Sequence, residues 1–153
     1  MRLAAALSIL ALSTGAALAQ EDSVIDQSKV YVTEPAACEA LAKQGADAFS
    51  ELEFLSLTFD KGIQSIEFHC DFYDIKTRPN TPVLFVDAVC EIPGDLYPDL
   101  LAIAPHDENA IRVSSNNDAM LGMFGGGKPD PESPYPAGTT FYHRCDNLSE
   151  IPF

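Results

Sequence analysis

A histidine with acidic neighbours is the part of this sequence with the clearest capacity for chemistry. His69 and Asp71 are two residues apart in a stretch of alternating polarity, so both point to one face of a predicted strand, and the predicted sheet places Glu91 opposite His69. Such a group can act as a general base or bind a metal ion. The carboxylates favour the charged imidazolium, however, whereas a general base must be neutral near the working pH.

The rest of the sequence adds little to a catalytic interpretation. No two histidines have the HxxxH spacing of metal ligands, and no nucleophile motif is present. We therefore expect no metal and no cofactor. A small periplasmic enzyme that uses His69 or His143 remains an alternative hypothesis.

The same predicted sheet face combines carboxylates with aromatic side chains, as protein-binding surfaces do. Aromatic side chains anchor interfaces, and carboxylates around them speed the encounter with a cationic partner. An ordinary solvated face would also carry scattered apolar residues. The predicted binding residues on this face are Phe54, Glu67, His69, Asp71, Tyr73, Phe85, Asp87 and Glu91.

A second candidate contact precedes three consecutive glycines. Met123 and Phe124 lie there, and side chains of these types suit an adaptable protein contact. We therefore include both among the predicted binding residues. The alternative is that they pack a long loop against the core.

Three predicted strands between Glu53 and Ile92 carry the first candidate face. Residues 55–59, 66–72 and 83–92 alternate between apolar and polar types, which is typical of strands with one buried face. The dipeptide Lys61-Gly62 predicts a hairpin turn, because glycine readily adopts positive φ.

Side-chain alternation also predicts the register of these strands. The first hairpin would pair Leu57 with Ile66 and Leu55 with Phe68, since a three-residue loop would place the two apolar sets on opposite faces. The second pairing would set Cys70 opposite Cys90. It also sets Phe72 opposite Ala88 and aligns Phe54, His69 and Glu91 across the outer face.

A helix and several shorter elements complete the prediction. Thr33-Glu34-Pro35 combines a capping hydroxyl, an acid and a first-turn proline, so a helix should begin there and run to about Phe49. A short edge strand over 28–32 precedes it. Residues 97–103 and 110–113 are apolar enough for a fourth strand or a broken hairpin, and a short helix over 119–124 and a last strand over 139–145 follow.

These elements predict an α+β domain with two disulfides. An N-terminal helix would pack on a four- to six-stranded antiparallel sheet. The strand–helix–strand–strand–strand order resembles the cystatin-like arrangement in shape. No cystatin motif accompanies it, so the resemblance implies a fold and not a function.

The N-terminus has the features of a cleaved secretory leader. Arg2 precedes an apolar stretch over residues 3–12, and Ala17-Leu18-Ala19 is a small-x-small cleavage site. We expect residues 1–19 to be removed and residues 20–153 to form a single small domain in the periplasm or outside the cell, with no membrane insertion after cleavage.

Strong acidity limits the partners of this chain. The formal net charge is −14, and removal of Arg2 with the leader would make it −15. Nucleic acids and anionic membranes are therefore poor partners, and a cationic protein or peptide is a better one. Acidity can also serve solubility alone.

The four cysteines predict two disulfides, as an even number does in an exported protein. The predicted helix lies antiparallel to the first strand, which places Cys38 far from Cys70 and Cys90. The favoured pairs are therefore Cys38–Cys145 and Cys70–Cys90, with the other two connectivities left open.

These features predict an exported acidic binding module that docks a cationic protein, for example as an inhibitor or an immunity-type protein. The alternatives are the small enzyme described above and an envelope structural protein without a small-molecule site.

Overall fold

The chain folds into a closed barrel of eight antiparallel strands. A computed structural model describes residues 24–124 and 134–152, apart from the side chains of residues 122–124. The strands are β1 (Val30–Val32), β2 (Ser56–Thr58), β3 (Gly62–Gln64), β4 (His69–Thr77), β5 (Leu84–Ile92), β6 (Asp95–Pro105), β7 (Ala110–Ser115) and β8 (Thr139–Cys145). Each strand pairs with the next, and β8 closes the barrel by pairing with β1, where Cys145 lies opposite Val30.

Three short helices accompany the barrel within the described residues. They are α1 (Ala37–Gln44), α2 (Ala48–Glu51) and α3 (Asn116–Phe124), with a 3-10 turn over Gly45–Asp47 between the first two. In the part of the chain that the structure describes, no helix has the length and apolar character needed to cross a membrane.

The predicted α+β fold is wrong, and so is the cystatin-like arrangement. The main core lies inside the barrel rather than between a helix and an open sheet. All eight strands contribute inward-facing side chains to it, among them Tyr31, Leu57, Val86, Ile103 and Tyr142. The sheet buries its own inner face by closing, so the helices are left to the outside of the barrel.

A second apolar cluster lies outside the barrel, between the helices and strands β1 and β8. Val30, Val32 and Cys145 point outward from the two strands and pack against Leu41 of α1 and Phe54. We call these outward side chains of β1 and β8 the β1–β8 face. The helical segment and the C-terminal residues cover it, so both sides of β1 are buried.

The predicted continuous helix from Thr33 to Phe49 is also wrong. The α-helix ends at Gln44, and Gly45 adopts φ 59°. A Cβ at Gly45 would lie 2.3 Å from the carbonyl oxygen of Pro152, which also accepts a hydrogen bond from the Ala46 N–H at 3.0 Å. Glycine lets the C-terminal segment approach the chain closely here.

The predicted first hairpin has the wrong register. Leu57 pairs with Ile63, and residues 59–61 form a three-residue loop. The apolar pattern had predicted against a loop of this length. Residues 65–68 form a turn instead of a strand, since the Ser65 N–H donates to the Phe68 carbonyl oxygen at 2.7 Å. Ile66 is therefore 68% exposed.

The pairing of β4 with β5 confirms the second predicted register. Cys70 lies opposite Cys90, Phe72 opposite Ala88 and His69 opposite Glu91. A bulge between Phe72 and Asp74 inserts Tyr73 as an extra residue and shifts the remaining pairs. The sequence did not predict this bulge.

Both favoured disulfides are present. Cys38–Cys145 joins α1 to β8 with a Cα–Cα distance of 5.3 Å, and Cys70–Cys90 joins β4 to β5 at 3.9 Å. Disulfides of this kind favour an oxidising compartment. The predicted leader, residues 1–19, lies outside the described residues.

Candidate functional site

The outer face of strands β4, β5 and β6 brings together five of the ten predicted binding residues, namely His69, Asp71, Tyr73, Asp87 and Glu91. The strand registers define three rows across it, each ending in an apolar residue of β6. The rows are His69–Glu91–Leu96, Asp71–Val89–Pro98 and Asp74–Asp87–Leu100. We call these residues, together with Tyr73, the β4–β6 face. It is acidic along β4 and β5 and apolar along β6.

Large apolar side chains on this face are exposed. Tyr73 is 71% exposed, Leu96 65% and Leu100 59%. Tyr73, Val89, Pro98 and Leu100 line a shallow depression of about 510 Å³. Exposed single apolar residues are common, but a contiguous group within an acidic surface is typical of an interaction site.

Lys76 holds two of the carboxylates at the edge of the face. Its ammonium contacts Asp87 and lies 3.3 Å from Asp74. The hydrogen bonds to Asp87 and then Asp74 raise the pKa of Lys76. The remaining carboxylates, Asp71 and Glu91, keep the face net negative.

The two histidines of the enzyme hypothesis lie apart from each other in the barrel. His69 Nε2 is 3.4 Å from the Glu91 carboxylate, and both side chains are about half exposed. His143 is exposed on β8, opposite Val32 and Ala110. Among the described residues, no three His, Cys, Asp or Glu side chains are grouped closely enough to hold a metal ion.

Two predicted residues lie away from the β4–β6 face. Phe54 is only 5% exposed and stacks on Phe49, with ring centroids 4.8 Å apart. Glu67 is exposed in the turn before β4. Both line a separate groove of about 640 Å³ beside α2. The predicted alignment of Phe54 with His69 and Glu91 is therefore wrong, because the chain leaves the sheet at residues 65–68.

The last three predicted binding residues are Phe85, Met123 and Phe124, which lie outside the defined β4–β6 face. Phe85 lies on the outside of β5 beneath the Arg78 guanidinium, whose carbon is 5.1 Å from the ring centroid. Phe85 remains 37% exposed beside this contact. Met123 and Phe124 belong to α3, but their side chains are outside the described set.

Sequence reasoning missed the apolar row of β6. Leu96, Pro98 and Leu100 alternate with the inward-facing Tyr97, Asp99 and Leu101. Because both sets are mainly apolar, the alternation that marks β5 is hidden in β6. The turn at Pro93-Gly94 could have revealed this row. A two-residue turn pairs Ile92 with Asp95, so it fixes which residues of β6 lie on the same face as the outward residues of β5.

Comparisons with protein-family models, curated proteins and solved structures found no match for this chain.

Proposed function

We propose that this protein is an exported acidic binding module that docks a cationic protein through the β4–β6 face. The carrying observation is the row of exposed apolar residues on β6 beside the carboxylates of β4 and β5. Burial of Tyr73, Leu96 and Leu100 in a complex would supply the apolar contribution to affinity.

Charge supports a cationic partner for this face. Asp71, Asp74, Asp87 and Glu91 outnumber Lys76, and the whole chain carries a formal charge of −14. Carboxylates around an apolar centre accelerate association with a basic surface and discriminate against acidic competitors. Complex formation should therefore weaken as salt rises.

The disulfides also bear on the compartment in which the protein acts. Two disulfides favour an oxidising compartment. We place the protein in the periplasm or outside the cell, where inhibition of a basic hydrolase or neutralisation of a basic toxin would use such a surface.

Affinity capture with three versions of the oxidised protein tests the proposal. The first is wild type, the second carries Asp71→Lys, Asp87→Lys and Glu91→Lys, and the control carries Glu34→Lys, Glu39→Lys and Glu51→Lys outside the face. The variants change the net charge equally. We expect wild type and the control to retain the same cationic protein from periplasmic or culture extracts, and the face variant to lose it.

Retention by the face variant would contradict the proposal. Equal loss from both variants would show that only net charge matters, which would also contradict a defined docking face.

A further inference from the structure

The bulge in β4 places two neighbouring side chains on the outside of the barrel. Phe72 and Ile75, on either side of the bulge, both pack against the barrel core. Tyr73 and Asp74 lie between them, and both are exposed. A regular strand would turn one of two consecutive residues inward, so the bulge is the feature that presents the aromatic ring beside a carboxylate.

The shallow depression beside Tyr73 has apolar walls. Val89 of β5 and Pro98 and Leu100 of β6 form them, and the volume is about 510 Å³. Such a volume is enough for a long side chain, but a shallow depression encloses little of a free small molecule. We therefore look for its occupant among the side chains of a protein partner.

One carboxylate next to the depression is available to a partner. Asp71 is exposed on β4 opposite Val89. Within the part of the chain that the structure describes, no ion pair or hydrogen bond involves its side chain. Asp74 and Asp87, by contrast, share the ammonium of Lys76. A cation from a partner would therefore meet Asp71 without displacing one of the chain's own cations.

Two other rings of this protein show which cation suits an aromatic side chain on its surface. The guanidinium carbon of Arg78 lies 5.1 Å from the ring centroid of Phe85, and that of Arg112 lies 5.6 Å from the ring centroid of Tyr135. No described Lys or Arg side chain lies over the ring of Tyr73. The most exposed of these three rings is therefore the one without a stacked cation.

We propose that this depression binds an arginine side chain of the cationic partner. Its methylene stem would pack on Val89 and Pro98. Its guanidinium would stack on the Tyr73 ring and donate N–H bonds to Asp71. Arginine fits better than lysine because a planar guanidinium can stack on a ring and donate to a carboxylate at the same time. This inference rests on the proposed function, since it names the residue type that anchors the partner on the β4–β6 face.

Titration of the isotope-labelled oxidised protein with Nα-acetyl-arginine amide, followed by amide NMR, tests the site without the partner. We expect saturable shifts around Asp71 and Val89. Nα-acetyl-lysine amide has the same charge, and Nα-acetyl-citrulline amide has nearly the same shape without the charge. Each should bind about two- to fivefold more weakly, as expected for the loss of one exposed stacking or ion-pair contact. Equal binding of either control, or no saturable shift with the arginine probe, would overturn the proposal.

Four variants connect the binding to particular side chains. Tyr73→Phe keeps the ring and should bind the arginine probe as wild type does, whereas Tyr73→Leu should lose the preference for arginine over lysine. Asp71→Asn should weaken binding of the arginine probe by about two- to fivefold. Asp95→Asn, at the turn between β5 and β6, changes the net charge equally and should bind as wild type does. An unchanged preference in Tyr73→Leu, or an unchanged affinity in Asp71→Asn, would overturn the proposal.

Chemical modification of the captured partner separates this inference from the proposed function. Phenylglyoxal blocks arginine side chains and acetylation blocks lysine side chains, and both treatments remove positive charge. We expect arginine blocking to release the partner more completely than lysine blocking does. Release by lysine blocking alone would overturn the arginine anchor and leave docking through the β4–β6 face intact. Failure of the affinity capture would contradict the proposed function, whereas the titration would still decide whether the depression binds arginine.

Discussion

The β1–β8 face and the β4–β6 face both carry apolar side chains on the outside of the barrel, but the part of the chain that the structure describes covers only the first. Val30, Val32 and Cys145 are at most 1% exposed beneath the helical segment and the C-terminal residues. No segment within residues 24–124 and 134–152 covers Leu96 and Leu100 in this way, and both are more than half exposed. Outward apolar residues of a barrel are thus either buried by the chain's own segments or left available to another molecule.

The two faces also differ in how they are held. A disulfide and a close backbone approach at Gly45 fix the cover of the β1–β8 face. The Cys70–Cys90 disulfide joins strands β4 and β5 on the inner side of the β4–β6 face, but no disulfide fixes a cover over its outer side, where the surface ion pairs around Lys76 contribute little to stability. We therefore expect changes on the β1–β8 face to alter folding and changes on the β4–β6 face to alter binding.

Removal of the Cys38–Cys145 bridge should give the largest effect. The two cysteines are 107 residues apart, so the bridge restricts a long loop of the unfolded chain. Cys38→Ala with Cys145→Ala should lower the free energy of unfolding by about 4 kcal/mol, measured by urea denaturation. An unchanged midpoint under non-reducing conditions would contradict this role.

A matched pair of leucines compares the two faces directly. Leu41 is fully buried over β1, and Leu100 is exposed on β6. Leu41→Ala should lower the free energy of unfolding by about 3 kcal/mol because it leaves a cavity. Leu100→Ala should change stability by less than about 0.5 kcal/mol. Similar losses at both positions would show that the β4–β6 face is part of a core.

Two glycines with positive φ isolate the effect of the close approach. Gly45 has φ 59° and Gly94 has φ 90°, but a Cβ meets nothing within 4 Å at Gly94. Gly94→Ala should lower the free energy of unfolding by about 1 kcal/mol because of the backbone conformation alone. Gly45→Ala should lower it by at least about 2 kcal/mol because the Pro152 carbonyl must also move. Thermal and urea unfolding of both variants would measure the difference, and equal costs would exclude the crowding.

Lys76→Met should have the smallest effect on folding and sharpen the binding comparison. It removes an exposed ammonium and leaves Asp74 and Asp87 unpaired on the face. We expect little change in stability, a higher affinity for the cationic partner and a steeper salt dependence. Weaker binding in this variant would argue that Lys76 itself contacts the partner.

Local patterns predicted the elements with clean alternation. The strand over 139–145 coincides with β8, and the opposition of Cys70 and Cys90 follows from alternation on β4 and β5. The pairing of Val30 with Cys145 could not be predicted in this way, because no local pattern records which distant strands meet. Because the sequence did not reveal this closure, the predicted fold was an open sheet packed by a helix instead of a barrel.

Side-chain alternation also predicted part of the composition of the β4–β6 face. His69, Asp71, Asp87 and Glu91 share the β4–β6 face, as alternation indicated. Phe54 does not, because the turn over 65–68 breaks the assumed register. Leu96 and Leu100 were missed because β6 is apolar on both sides.

Hydrogen–deuterium exchange on the complex with the captured partner tests the central claim most directly. The account predicts slower exchange on binding at β4, β5 and β6 around Asp71, Val89 and Leu100, and unchanged exchange at β1, β8 and α1. Protection confined to the helical segment or to the groove lined by Phe54 and Glu67 would contradict docking through the β4–β6 face.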